Sequence, residues 1–511
     1  MPGKYLLGVD IGTYESKGVI SDTEGNLIAS AVSPHKMDIP RAGWAEHDPE
    51  EVWWGDFVRV TKQLLEKSGV KPNDILGVGV SAIGPDVLPV DRDANPLRKG
   101  GILYGVDTRA AAEIEVLNAA IGSDVIFKKT GNVLSSQATG PKILWLKNNE
   151  PEVYKKAYKF ITASSFLVAR LTGAFVIDHL TGSFCLPLYD FVKREWDDTL
   201  TKDVVELGRL PDLRWANEVA GYVTAEAARQ TGLAEGTPVT IGTADAAAEA
   251  VSVGVTDPGQ MMLMYGSTIF IIEVLDKPVM DPRLWANPFL FKGTSALLAG
   301  MATSGSLTRW FRDHLAVDLV HAEENGGANA YSEITQAALT VPPGSDGLVV
   351  LPYFSGERTP VNDPRARGVF FGMTLAHTRA HLFRAAVEGI SYGVRHHLEV
   401  MSEIGAAPRE IIAVGGGTKS PLWLQATSDV SGVPQKVPAV TLGASYGDAF
   451  LAGMGAGVFK KPEEINGWLK DIRTVEPNPS VKPVYDHYMR IYLELYKATR
   501  SLMHDIYNLT N

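Results

Sequence analysis

The stretch LLGVDIGTYESKGVI, residues 6–20, decides how the rest of the chain is read. An apolar run over 6–9 ends at Asp10, Gly12 and Thr13 open a small polar loop, and apolar residues return at Val19 and Ile20. The pattern is strand, turn, strand. It leaves a carboxylate at the end of a strand that reads as buried, which is costly unless a cation or N–H donors meet it. In one reading Asp10 caps the turn by accepting N–H bonds from Gly12 and Thr13. In the other it faces a hydrated Mg²⁺ held by one or two carboxylates and by nucleotide phosphates. Spacing alone leaves both open.

The design recurs. GQMMLMYGSTIFIIEVL, residues 259–275, is again an apolar strand, a Gly-hydroxyl turn and an apolar strand. Two such units predict a duplicated architecture with a boundary near residue 255, giving domains 1–254 and 255–511. Just before that boundary, GTPVTIGTADAAAEA (236–250) is a strand that ends in Gly-Thr-Ala-Asp and opens a helix. Asp245 sits among small residues, where a substrate comes close and a general base for a hydroxyl would fit. Local sequence alone favours the plainer role of capping the helix.

Three strand-end loops combine glycine with hydroxyl residues: 12–18, 265–270 and GGGTKS at 415–420. Glycines let backbone N–H groups approach and cradle a phosphate. One such loop is ordinary turn chemistry, whereas three at the ends of apolar strands form a pattern. None has the G-x4-G-K-[ST] spacing of a P-loop, and no G-x-G-x-x-G opens a helix ahead of an acidic residue, so a nicotinamide dehydrogenase is not expected.

Around these loops, apolar positions at helical spacing predict helices over 50–68, 164–173, 377–401 and 483–505. A continuous apolar run at 75–84 suits a strand covered on both faces. Further strands are expected at 4–12, 16–22, 25–34 and 409–417. The four histidines at 377, 381, 396 and 397 read as a solvated or packed face rather than a metal site.

Net charge of −11 argues against a broad nucleic-acid surface. The single cysteine, Cys185, excludes an internal disulfide and reads as core filler in a reducing compartment. No apolar run is long enough for a spanning helix, and Asp10 interrupts any signal-peptide core. The expectation is a cytoplasmic protein that binds neither nucleic acid nor membrane.

With these residues in place, the chain strongly resembles the FGGY carbohydrate kinases. The blocks that carry the resemblance include GVDIGTYESKG (8–18), GWAEHDPEEVWW (43–54), VDTR (106–109), GTPVTIGTAD (236–245), the long segment 351–390 and GGGTKSPLWLQATSDVSGVP (415–434). The resemblance implies an α/β protein of two domains with the actin/Hsp70/hexokinase, ribonuclease H-like fold and a cleft between them. It implies phosphorylation of a sugar or polyol with ATP and Mg²⁺, and a homodimer. Carried over residue by residue, it makes Asp10 the carboxylate toward Mg²⁺ and puts Gly12, Thr13 and Lys17 in the first phosphate loop. Gly266 and Ser267 fall in the second phosphate loop, and Gly415, Gly416, Gly417 and Ser420 in the adenosine-side loop. Asp245 matches the catalytic aspartate, which reverses the local preference for capping.

The sequence departs from the pattern on the sugar side. Where xylulose kinases carry Gln-Met-His-Gly, this chain has Ile83, Gly84, Pro85 and Asp86, and Tyr104 stands where many relatives have tryptophan. Asp86, Tyr104 and Asp107 are therefore candidate substrate residues, although Asp107 and Arg109 could instead form a structural ion pair. D-xylulose leads, with another pentulose, a polyol or a sugar acid as rivals. The same fold also serves non-catalytic sugar binders, chaperones and repressors, and the extra segments that the last two need are not expected here.

Overall fold

The computed structural model describes residues 5–200 and 203–510. The expected start of the first strand at Lys4 lies outside the described residues. The chain forms two compact units, and neither is a single stretch of sequence. The first comprises the chain up to Pro258 together with 274–296 and 442–470; the second comprises 259–273, 297–441 and the segment from 471 onward.

In the first unit, strands Tyr5–Ile11, Glu15–Asp22 and Leu27–Pro34 form the antiparallel part of a sheet. Tyr5–Ile11 then pairs in parallel with Ile75–Ala82, which pairs in parallel with Pro238–Thr240 and Thr243–Ala244. All of Ile75–Ala82 except Leu76 is buried, as its unbroken apolar run requires when helices cover both faces. On one face the Ala163–Thr172 helix packs on this strand, while the Gly55–Ser68 helix covers the antiparallel part and meets Gly18 through Val60 and Leu64. The expected helix over 50–68 begins with a π-helical turn, Pro49–Trp54, capped by the Asp48 carboxylate.

The other cover is the helix Ala444–Gly455, which belongs to this unit despite its late position in the chain. Its backbone lies so close to the sheet that a Cβ on Gly8 would fall 1.9 Å from Ser445 O, and one on Gly79 2.0 Å from Asp448 O. Only glycine allows this approach.

In the second unit, Gln260–Tyr265 pairs antiparallel with residues 269–273 and parallel with Glu410–Val414. Gln435–Pro438 and Ile472–Val475 extend the sheet. The helices Arg379–Glu403 and Pro421–Ser431 are packed together, with Ser391 bonded to Thr427 at 3.0 Å. The long C-terminal helix Lys482–Thr510 buries Tyr485, Met489, Tyr492 and Leu495. The four histidines divide: His397 is buried against Thr359, whereas His377 and His381 accept the backbone N–H groups of Thr374 and Thr378 at the helix entrance.

Candidate functional site

Strand register creates the first cluster. Asp10 pairs with Ser81, and Ser81 pairs on its other side with Thr243. Three parallel strands therefore end side by side, and their exits carry Asp10, the segment leading to Asp86, and Asp245. Asp10 does not cap its own turn, because Gly12 N–H bonds instead to Glu15 O at 3.1 Å. Asp10 Oδ1 accepts the Ser81 hydroxyl at 2.9 Å. Lys17 is its register partner across the antiparallel pair. Burial, together with the negative charge of Asp245, holds the Asp10 carboxyl well above the usual range, while Ser81 and Lys17 pull it down.

The Gly12–Thr13 loop is gripped from below by two histidines. His35 Nε2 lies 3.1 Å from Gly12 O, with its Nδ1 on the Asp56 carboxylate. Trp53 donates to His47 Nδ1, which leaves Nε2–H of His47 to donate to Thr13 O at 3.1 Å. Burial keeps His47 neutral, with its pKa lowered to about 4. The two rings meet edge to face with centroids 5.0 Å apart, and no local sequence motif marks either histidine, because their targets are backbone carbonyls.

Asp245 is the first residue of the helix Asp245–Ser252, so Ala244 rather than Asp245 occupies the cap position. Its Oδ1 accepts the Ala246 N–H at 2.7 Å. Burial pushes its pKa up to about 6. Glu249, one helical turn on, shares the face and is raised by burial and by Asp245.

Asp86 is 1% exposed. Its Oδ1 accepts the Ala163 N–H at 2.7 Å, while Oδ2 has no partner among the described residues. Burial pushes it to about 8, against the attraction of Lys142. Lys142, itself fully buried and lowered to about 7 by burial, donates to the carbonyls of Leu103 and Tyr104. Tyr104 reaches the first loop, its hydroxyl 3.4 Å from Thr13 Oγ1. Asp107 turns elsewhere. It accepts Ala45 N–H at 2.7 Å and is held by Arg109 through Nε and Nη2, and neither side chain of the pair is exposed. Arg109 also stacks 4.0 Å over the Trp44 ring.

The second cluster lies wholly in the second unit, around a cavity of about 640 Å³. Gly266, Ser267, Gly416, Gly417 and Ser420 line it; Gly415 stands behind the wall, against Tyr265. The loop at Gly266 is clamped to the helix Gly305–Leu315, with Gly305 N–H and the Ser304 hydroxyl both on Gly266 O at 3.1 Å. Ser420 caps the helix Pro421–Ser431 by accepting the Trp423 N–H. The remaining wall brings Arg309, Asn329, Tyr331, Gln336, Lys419 and Trp423, from segments too far apart in sequence to suggest one site. The volume suits a nucleotide-sized ligand.

The chain matches the model of the FGGY family of carbohydrate kinases, N-terminal domain, over residues 5–252, and that of the C-terminal domain over 261–456. It is 30% identical to the xylulose kinase of Escherichia coli, covering 90% of each chain. It is 28% identical to the gluconokinase of Bacillus subtilis, covering 88% of each. Its fold superposes on the crystal structure of xylulose kinase from Rhodospirillum rubrum with a TM-score of 0.91 at 31% identity, covering 98% of this chain and 100% of that one. The architecture is accordingly the two-domain α/β fold of the actin and hexokinase type. Among the described residues, no helix is long and apolar enough to cross a membrane. The chain belongs to the FGGY family of carbohydrate kinases, and it is a sugar kinase.

Proposed function

We propose that this enzyme transfers the γ-phosphate of ATP to a primary hydroxyl of a small uncharged sugar, with a ketopentose such as D-xylulose as the leading acceptor. The observation that carries the reading is the half-buried Asp245 carboxyl, raised to about 6 and fixed by Ala246 N–H at the end of the central strands. A base must be ionised near neutral pH yet basic enough to take a hydroxyl proton, and that value meets both needs. Asp245 accepts the proton as the sugar oxygen attacks in line. Gly12, Thr13 and Lys17 form a first phosphate loop, and Gly266 and Ser267 form a second. The 640 Å³ cavity, with Gly416, Gly417 and Ser420 at its wall and Gly415 behind them, takes the adenosine.

Asp10 fits a magnesium-bearing nucleotide. It offers a hard oxygen, with Oδ1 tied to Ser81 and Oδ2 left for an inner or water-mediated contact. Mg²⁺ bound there would orient the nucleotide phosphates and offset their charge.

On the acceptor side, Asp86 and Tyr104 contact the sugar, while Asp107 supports the pocket through Arg109. A sugar acid is the second reading, given the gluconokinase relative, but it needs a cation for its carboxylate. Arg109 is chelated by Asp107 and Lys142 is spent on two backbone carbonyls, whereas Asp10, Asp86, Asp245 and Glu249 all carry acid groups. ADP release measured over a panel of pentuloses, polyols and aldonates tests the proposal. Stimulation by D-xylulose or a related ketose supports it; stimulation by gluconate alone, or by no acceptor, rejects it.

A further inference from the structure

The Ser81 hydroxyl lies 2.9 Å from Asp10 Oδ1 and 2.7 Å from Asp448 Oδ2. Both contacts are hydrogen-bond distances, yet a serine hydroxyl has one proton to give. One of the two carboxyls must therefore bring a proton of its own. Asp10 retains some exposure, at 8%, and faces Lys17 across the strand pair. Asp448 has none: it is 0% exposed in a helix of small and apolar residues, and its Oδ1 has no hydrogen-bond partner among the described residues. An ionised carboxylate in that place would be uncompensated.

We infer that Asp448 is a positioning residue for Asp10: as the neutral acid it donates from Oδ2 to Ser81 Oγ, and Ser81 donates in turn to Asp10 Oδ1. The chain of donors runs one way. It fixes the Asp10 rotamer through Oδ1 and leaves Oδ2 outside that bond. Complete burial and an Oδ1 unpartnered among the described residues single out Asp448 as the carboxyl that carries the proton. The relay is held in place by the close packing of the Ala444–Gly455 helix. Gly8 and Gly79 admit it to the sheet, and a Cβ on Gly447 would stand 1.9 Å from Ala248 O in the helix that begins at Asp245. Outer partners of this kind typically change metal affinity by about 10–100-fold when removed.

The inference rests on the reading of Asp10 as the carboxylate toward the cation, so the test carries a control at Asp10. Mn²⁺ binding in the presence of ADP is followed by electron paramagnetic resonance for the wild type, Asp448→Ala, Asp448→Asn and Asp10→Asn. Asp448→Ala is expected to weaken Mn²⁺ by about 10–100-fold. Asp448→Asn is expected to restore the affinity, since its amide donates to Ser81 as the acid does. A merely structural role would instead follow thermal stability and show no rescue specific to a donor. Infrared spectra of the wild type should contain the carbonyl band of a protonated carboxylic acid that Asp448→Asn lacks; this readout needs neither turnover nor metal. Absence of that band, wild-type Mn²⁺ affinity in Asp448→Ala, or equal impairment of both Asp448 variants would overturn the inference alone. Wild-type Mn²⁺ affinity in Asp10→Asn would overturn it together with the reading of Asp10.

Discussion

The backbone N–H of Ala246 holds Asp245 Oδ1 at 2.7 Å, so the carboxyl is oriented by its own helix and Oδ2 remains to take a proton. Asp245→Asn keeps that contact and the shape of the side chain but cannot act as a base. Its kcat should fall by about 10²–10⁴. Nucleotide affinity, measured by calorimetry, should stay near the wild-type value.

The pH dependence follows from the same residue. With its pKa at about 6, Asp245 is ionised above that pH and protonated below it. The rate should level off at higher pH and fall about tenfold per unit below the midpoint. Stability should run the other way. The folded protein holds a proton that the unfolded chain releases near the ordinary carboxylate value, so wild-type stability declines as pH rises through that window to about 6. Asp245→Asn removes this dependence and should raise the melting temperature of the ligand-free enzyme above that pH.

Asp86 has one oxygen on Ala163 N–H and the other unpartnered, with its pKa near 8. Asp86→Asn preserves a neutral, hydrogen-bonding side chain at neutral pH and should fold normally. If the loose oxygen accepts from a sugar hydroxyl, which an amide nitrogen in its place cannot do, KM for the sugar rises by about tenfold, the effect of one lost hydrogen bond of about 1.4 kcal/mol, and KM for ATP is unchanged. Equal changes in both constants would assign Asp86 to the scaffold.

The Asp107–Arg109 pair should act as structure. Arg109→Ala leaves Asp107 buried without its cation, at a cost of about 3–5 kcal/mol. Urea unfolding would measure it. A variant as stable as the wild type would contradict the structural role of the pair.

Gly417 tests the nucleotide cavity. A methyl group there would stand 2.8 Å from the Trp423 ring and from Tyr265 Cβ, so both must shift. Gly417→Ala should raise KM for ATP by about tenfold, for a strain of about 1–3 kcal/mol, with little effect on KM for the sugar.

Much of this architecture was legible in the residues. The run around Asp10 and its echo at 259–275 both form strand–turn–strand units because apolar periodicity and glycine turns are local signals. The opposing readings of Asp10 could not be separated locally, because the decisive partner, Ser81, comes from the neighbouring parallel strand. Asp448 was missed for the same reason, although a lone acid within GASYGDAFLAGM was a signal. Asp107 left an ion pair and a sugar contact equally open, and only burial shows that Arg109 encloses it. The Ala444–Gly455 helix joins the first unit through the close glycines Gly8 and Gly79, a packing relation that periodicity does not encode.

The most direct measurement is transfer of labelled γ-phosphate from ATP to D-xylulose in a single turnover, run with the wild type and with Asp245→Asn at equal nucleotide saturation. The expected result is labelled sugar phosphate from the wild type, and formation slower by at least about 10²-fold in the variant. Near-normal transfer by Asp245→Asn would contradict the assignment of the base.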